Sequence, residues 1–184
     1  MTKKKSISKK IGILGGTFDP PHKGHLKISL FSLKKLKLDF LIWAITKKNP
    51  YKKKPMIPLK KRILISKKIT KKSKKIQVNS YDKLLRSSNT INLVTYLKKR
   101  NKNCELFFLM GSDNLINFHK WKSWRKISKL SKIVVLSRPG YVKKSLICKS
   151  ARTLQKKQLT FIKSEMINIS SSKIRESYLK SRNR

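Results

Sequence analysis

Residues 11–26 read IGILGGTFDPPHKGHL, and the fold follows from how this stretch is parsed. A short apolar run (Ile11, Ile13, Leu14) meets Gly15 and Gly16. Thr17, Phe18, Asp19 and two prolines come next, and His22 and His25 precede an amphipathic segment that starts near Leu26. Strand, glycine turn, polar loop and helix start is the order that brings a phosphate against free backbone amides. The two glycines let main chain approach a ligand where a Cβ would block it. Pro20 and Pro21 stiffen the loop and delay the helix. His22 and His25, three apart at a helix entrance, can face one pocket. Neither the GxxxxGK phosphate loop nor the GxGxxG dinucleotide fingerprint is present.

Outward from this stretch, the pattern predicts a strand over 11–14 and a helix over 24–36, with Leu26, Leu30, Leu33 and Leu36 on one face. FLIWAI (40–45) is a continuous apolar run, as for a strand buried on both faces, and completes a β-α-β unit. A basic, proline-punctuated loop (46–58) precedes a helix over 59–68, a strand over 76–78 and a polar loop over 81–89. A helix over 90–99 is expected with Thr90 as its cap, then a strand over 105–110 and the turn GSDN at 111–114. One helix is expected over 115–130, carrying Phe118, Trp121 and Trp124, then a strand over 133–136 that runs into SRPGY. Residues 142–158 are ambiguous and partly helical. A last strand over 159–162 and a serine-capped helix over 170–179 end the pattern. Alternating strands and helices imply a Rossmann-like, doubly wound parallel sheet with helices on both faces. The expected organisation is one domain over 11–184 behind a basic tail, residues 1–10. In such a sheet, ligands bind beyond the carboxyl ends of the strands. The unusual loops all fall there.

The chain has 184 residues, enough to bury a real core. No run approaches the roughly 18 to 20 apolar residues of a membrane span, and the basic N-terminus lacks the apolar region of a signal peptide. Cys104 and Cys148 show no ligand spacing and read as free thiols. A cytoplasmic protein is expected, with no membrane partner. The net charge of +42 comes from 40 lysines and only 9 arginines, spread along the chain. Base readout favours arginine, so the excess reads as a solvated surface that binds polyanions loosely, without a specific nucleic-acid face. Self-association is compatible with the sequence. Asp19 and Asp113, two of only seven carboxylates, lie in glycine-containing loops, as turn residues or as functional ones.

Thr17 and the amides of Gly15 and Gly16 can hold phosphate oxygens, and His22 and His25 supply donors for charge that grows in phosphoryl chemistry. Asp19 is the only acid near the histidines, which disfavours a zinc site. In ISSSKIR (169–175), serine hydroxyls, helix-start amides, Lys173 and Arg175 can gather on an anion, or the serines can simply cap a basic helix. Trp121 and Trp124 are core residues or, for one of them, a platform for a flat ring. No serine or cysteine nucleophile motif and no carboxylate pair occurs. Direct displacement at phosphorus between bound substrates is the chemistry that remains.

GGTFDPPHKGH resembles the GGTFDPxHxGH signature of the HxGH nucleotidyltransferase superfamily. Pantetheine-phosphate adenylyltransferases usually have threonine where this chain has His22. MGSDNL with FHKWKSW, SRPGY and ISSSKIR resemble, in order and spacing, the other motifs of bacterial nicotinate-nucleotide adenylyltransferases. The resemblance implies transfer of adenylyl from ATP, with Mg2+, to nicotinate mononucleotide, giving deamido-NAD and pyrophosphate. It implies that His22, His25 and Thr17 act at the reacting phosphates with Gly15 and Gly16. Lys52, Asp113, Ser171, Ser172 and Arg175 would bind ATP. Trp121 would stack on the pyridine ring, with Thr90 and the backbone near Lys122 at the nicotinate end. Ser172 stands for the family's threonine, and Asn89 for a tyrosine often found before Thr90. Nicotinamide mononucleotide or another phosphorylated acceptor remains an alternative substrate, and a lysine-rich nucleic-acid-binding module an alternative function.

Overall fold

A computed structural model describes residues 8–51, 54–154, 157–163 and 171–182. Six parallel strands form one sheet in the order β3-β2-β1-β4-β5-β6. They are β1 (Lys9–Gly16), β2 (Phe40–Ile45), β3 (Ile76–Asn79), β4 (Cys104–Gly111), β5 (Lys132–Leu136) and β6 (Leu159–Ile162). The helices are α1 (Lys23–Lys35), α2 (Leu59–Thr70), α3 (Asp82–Leu85), α4 (Thr90–Arg100), α5 (Ser112–Ile116), α6 (Trp124–Leu130), α7 (Val142–Ile147), α8 (Lys149–Thr153) and α9 (Ser171–Arg182). The strand order reverses at β1, which pairs with β2 on one side and β4 on the other. This is the doubly wound arrangement expected from the sequence, with its switch point beyond the end of β1.

Side-chain alternation splits the core in two. Ile11, Ile13, Phe108 and Val135 pack under Val94, Leu97 and Ile127 of α4 and α6. Leu14, Trp43, Leu109 and Val134 face α1 and α2 through Leu33, Leu59 and Ile63. Among the described residues no helix is long and apolar enough to cross a membrane.

Five local expectations change. Gly15 and Gly16 are not a turn; they are strand residues registered against Ala44 and Ile45. The left-handed residue of the loop is Phe18 (φ 49°). Leu30 is 45% exposed, whereas Ser29 and Ser32 are fully buried. The inward face of α1 is set by Trp43, whose indole N–H donates to Ser29 Oγ at 2.8 Å, while Ser29 donates to the His25 carbonyl at 2.7 Å. Thr90 is the first residue of α4 and Asn89 takes the cap position. The helix expected over 115–130 breaks into α5, a 3-10 turn (Phe118–Lys120) and α6, because Trp121 is extended and Ser123 left-handed (φ 53°). The polar loop over 81–89 also holds the single turn α3.

Candidate active site

The loop after β1 is built from aromatic packing and one buried acid. Phe18 stacks on Trp43 with centroids 5.0 Å apart and lies 4.7 Å from the His25 ring. A Cβ on Gly15 would come within 3.3 Å of the Phe108 ring, a tight approach that makes the ring give by a few tenths of an ångström. Asp19 accepts from the amides of Met56 (2.8 Å) and Ile57 (2.9 Å), tying the loop after β2 to the loop after β1. Both of its oxygens hold backbone amides, and Oδ2 also lies 3.9 Å from the Arg175 guanidinium, so Asp19 serves the loop structurally.

Arg62 of α2, which the sequence reading did not single out, reinforces that seam. It is 1% exposed and donates to the carbonyls of Ile57 and Thr46 (both 2.8 Å), Lys47 (3.2 Å) and Thr17. Burial pulls its pKa down, while Asp19 and Asp82 push it up. Asp82 in turn accepts from Thr46 Oγ1 (2.8 Å), the Lys47 amide (2.7 Å) and Ser88. The available signal was compositional, an arginine kept in a chain that otherwise uses lysine.

His22 and His25 come together at the start of α1, ring centroids 3.9 Å apart. The His22 amide donates to His25 Nδ1 at 3.3 Å, which leaves the proton of a neutral His25 on Nε2. Burial first, then the neighbouring His22 and Arg138, push the His25 pKa down to about 3. His22 falls to about 4 by burial and by Arg138. Both rings are therefore neutral donors near pH 7 in the free protein. Nδ1 of His22 is buried without a hydrogen-bond partner among the described residues.

Across the switch point, Asp113 at the start of α5 binds Arg138 through Oδ2 at 2.7 Å, while its buried Oδ1 lacks a partner among the described residues. A Cβ on Gly111 would stand 2.4 Å from that oxygen. Arg138 belongs to the SRPGY motif but was assigned no role from sequence. It adds a cation opposite the histidines. The terminal helix closes the third side: Ser171 donates to the Pro20 carbonyl (3.0 Å), and Arg175 donates to the Asp19 carbonyl (2.6 Å) and to Ser172 Oγ (3.2 Å). A serine-rich helix start some 150 residues away in sequence is thus part of the first loop's wall.

These groups enclose a cavity of about 380 Å³ that is lined by Gly15, Gly16, Thr17, His22, His25, Asp113, Arg138, Ser171, Ser172 and Arg175. Thr90, Trp121 and Lys122 line a smaller pocket on the other side of Gly15 and Gly16. Trp121 and Phe108 border both, making one continuous cleft. Trp124 is core: 7% exposed, edge-on to Phe118 and beneath the Arg125 guanidinium. The helix break at 121–123 is what separates the two tryptophans. Lys52 lies outside the described residues.

A doubly wound sheet carrying two neutral histidines and two arginines around a cleft at its switch point is an α/β arrangement suited to a phosphorylated ligand. The cytidylyltransferase-like family model matches residues 13–177. A "Probable nicotinate-nucleotide adenylyltransferase" of Pelagibacter ubique is 49% identical over 91% of this chain and 92% of that protein. A protein of the same name from Rhizobium johnstonii is 36% identical over 78% of this chain and 72% of that one. In fold, the chain is similar to the nicotinic acid mononucleotide adenylyltransferase of Plasmodium falciparum complexed with NaAD (TM-score 0.74, 21% identity, 91% of this chain and 83% of that one). The chain belongs to the cytidylyltransferase-like family and, within it, to the nicotinate-nucleotide adenylyltransferases.

Proposed function

We propose that this chain is a cytoplasmic enzyme that transfers the adenylyl group of ATP to nicotinate mononucleotide, yielding deamido-NAD and pyrophosphate. The observation that carries the reading is the meeting of two pockets at Gly15 and Gly16, beside the histidine pair. The larger, flanked by Arg138, Ser171, Ser172 and Arg175, suits a triphosphate. The smaller, bounded by Trp121, Thr90 and Lys122, suits an aromatic ring. Reacting groups brought together there need no covalent enzyme intermediate.

In this reading an oxygen of the mononucleotide's 5′-phosphate attacks the α-phosphorus in line, and the bond to the β-phosphate oxygen breaks with its electron pair leaving on pyrophosphate. His25 Nε2–H donates to the α-phosphoryl oxygens as charge redistributes, and His22 and Thr17 hold the adjoining phosphates. Arg175 and Arg138 meet the charge of the leaving group. Magnesium would come with ATP as part of the substrate. The buried Oδ1 of Asp113, without a partner among the described residues, would meet the ion or its waters, and the ion would supply positive charge to the phosphates.

The test is pyrophosphate release from ATP and magnesium with nicotinate mononucleotide, run beside nicotinamide mononucleotide. Deamido-NAD formed at the higher kcat/KM supports the reading. Faster formation of NAD transfers the assignment to the amide substrate.

A further inference from the structure

We propose that Tyr51 occupies the aromatic-acid subsite of the ligand-free protein and is displaced when the mononucleotide binds. Its phenol ring would stand for the pyridine ring and its hydroxyl oxygen for a carboxylate oxygen, so the inference rests on the substrate proposed above. Tyr51 lies in the loop after β2 and lines the smaller pocket. Its ring is within 9° of parallel to Trp121, centroids 6.4 Å apart. Phe108 and Phe118 meet Trp121 nearly perpendicular, at 84° and 76°. Among the described residues, Tyr51 is therefore the ring that lies parallel to the platform.

A second contact completes the likeness. The backbone N–H of Lys122 donates to the Tyr51 hydroxyl oxygen at 3.0 Å, across 71 residues of sequence. An indole for the ring and a neighbouring amide for an oxygen are the contacts an aromatic carboxylate would use. Tyr51 faces the indole and takes the amide at once, and an incoming carboxylate that takes the Lys122 amide displaces the Tyr51 hydroxyl from it. The occupancy is loose. A centroid separation of 6.4 Å is near the outer end of the roughly 4.5–7 Å range of aromatic attraction, and Tyr51 is 50% exposed. The consequence is competition: apparent affinity for the mononucleotide falls by the fraction of molecules in which the subsite is open.

Tyr51→Phe keeps the ring and removes the acceptor for the Lys122 amide, and Tyr51→Ala removes both contacts. Steady-state pyrophosphate release with purified full-length protein should show KM for nicotinate mononucleotide falling by about threefold to tenfold in Tyr51→Ala, and by less in Tyr51→Phe. The KM for ATP and kcat should stay within about twofold, a split that general loosening of the site would not give. An unchanged mononucleotide KM overturns the proposal. A raised one also overturns it and makes Tyr51 a wall that sandwiches the substrate ring. Wild-type enzyme separates the two levels of inference. No release with nicotinate mononucleotide overturns the substrate assignment and this proposal with it, whereas normal wild-type turnover with unmoved variants overturns the Tyr51 role alone.

Discussion

His25 shows how a single residue's environment can decide its chemistry. A histidine in a cationic cleft invites a reading as one more positive charge on phosphate, but burial holds its pKa down at about 3, and the His22 amide fixes its Nε2 as donor. The free protein offers a directed N–H instead of a charge, and in the proposed reaction that donor would serve where the transition state concentrates negative charge. His25→Ala should lower turnover by roughly 10²- to 10³-fold, as loss of one transition-state donor does. Near-normal turnover in a folded variant would remove the assigned role. The same shift affects stability. With a folded pKa below the unfolded value of 6.5, the unfolded chain binds the extra proton, so stability is fully present above about pH 6.5 and declines as pH falls toward the folded pKa. Between pH 6.5 and 4, this group's contribution to the loss is on the order of 3 kcal/mol. Chemical denaturation of His25→Asn, which keeps an acceptor near the Nδ1 position, should therefore show a shallower acid decline than wild type. Parallel curves would contradict the buried, neutral ring. That the histidines, Asp113, Ser171, Ser172 and Arg175 line one cleft was legible in the sequence because they stand at or near helix starts beside unusual motifs. Arg62 and Asp82 were not, because they act on carbonyls and amides of loops distant in sequence, and nothing local marks that.

At the scale of elements, the strands were read best. FLIWAI and the 159–162 strand were located residue for residue. For FLIWAI the reason is that a continuous apolar run between polar boundaries leaves little choice in a sheet covered on both faces. LTFI, by contrast, is a short edge strand with its two middle residues exposed. Helices were read less well wherever a tertiary partner overrode periodicity. Trp43 drew two serines of α1 inward at the expense of Leu30, and the cleft drew Trp121 out of the register shared by Phe118 and Trp124. The end of α1 gives a test that is independent of function. Leu38 N–H bonds to the Leu33 carbonyl (3.0 Å) and Lys37 N–H to that of Lys34 (3.3 Å), the paired bonds of a Schellman cap, with Leu33 and Leu38 both buried beneath it. The left-handed position of this cap is filled by Lys37 at φ 50°, where glycine is the usual residue. Lys37→Gly should raise stability by about 0.5–1 kcal/mol, read as a higher denaturant midpoint at unchanged slope. A lower midpoint would mean that the lysine side chain contributes more than its strained backbone takes away.

For the whole molecule, the charge of +42 makes folding and catalysis respond to salt in opposite directions. The like charges repel across a compact surface, and that repulsion weakens as the Debye length shrinks from about 30 Å at 0.01 M salt to about 3 Å at 1 M. Both proposed substrates are anions, and the same field that strains the fold raises their concentration near the cleft. A single potassium chloride titration from low to high salt should therefore raise the thermal midpoint while lowering kcat/KM by about tenfold, with kcat nearly constant because steering acts before chemistry. The split between kcat/KM and kcat is the decisive part. If kcat falls in parallel, salt is acting on phosphates already bound beside Arg138 and Arg175. If neither quantity moves, the lysines are too scattered to focus a field on the cleft, and their abundance has no part in capturing substrate.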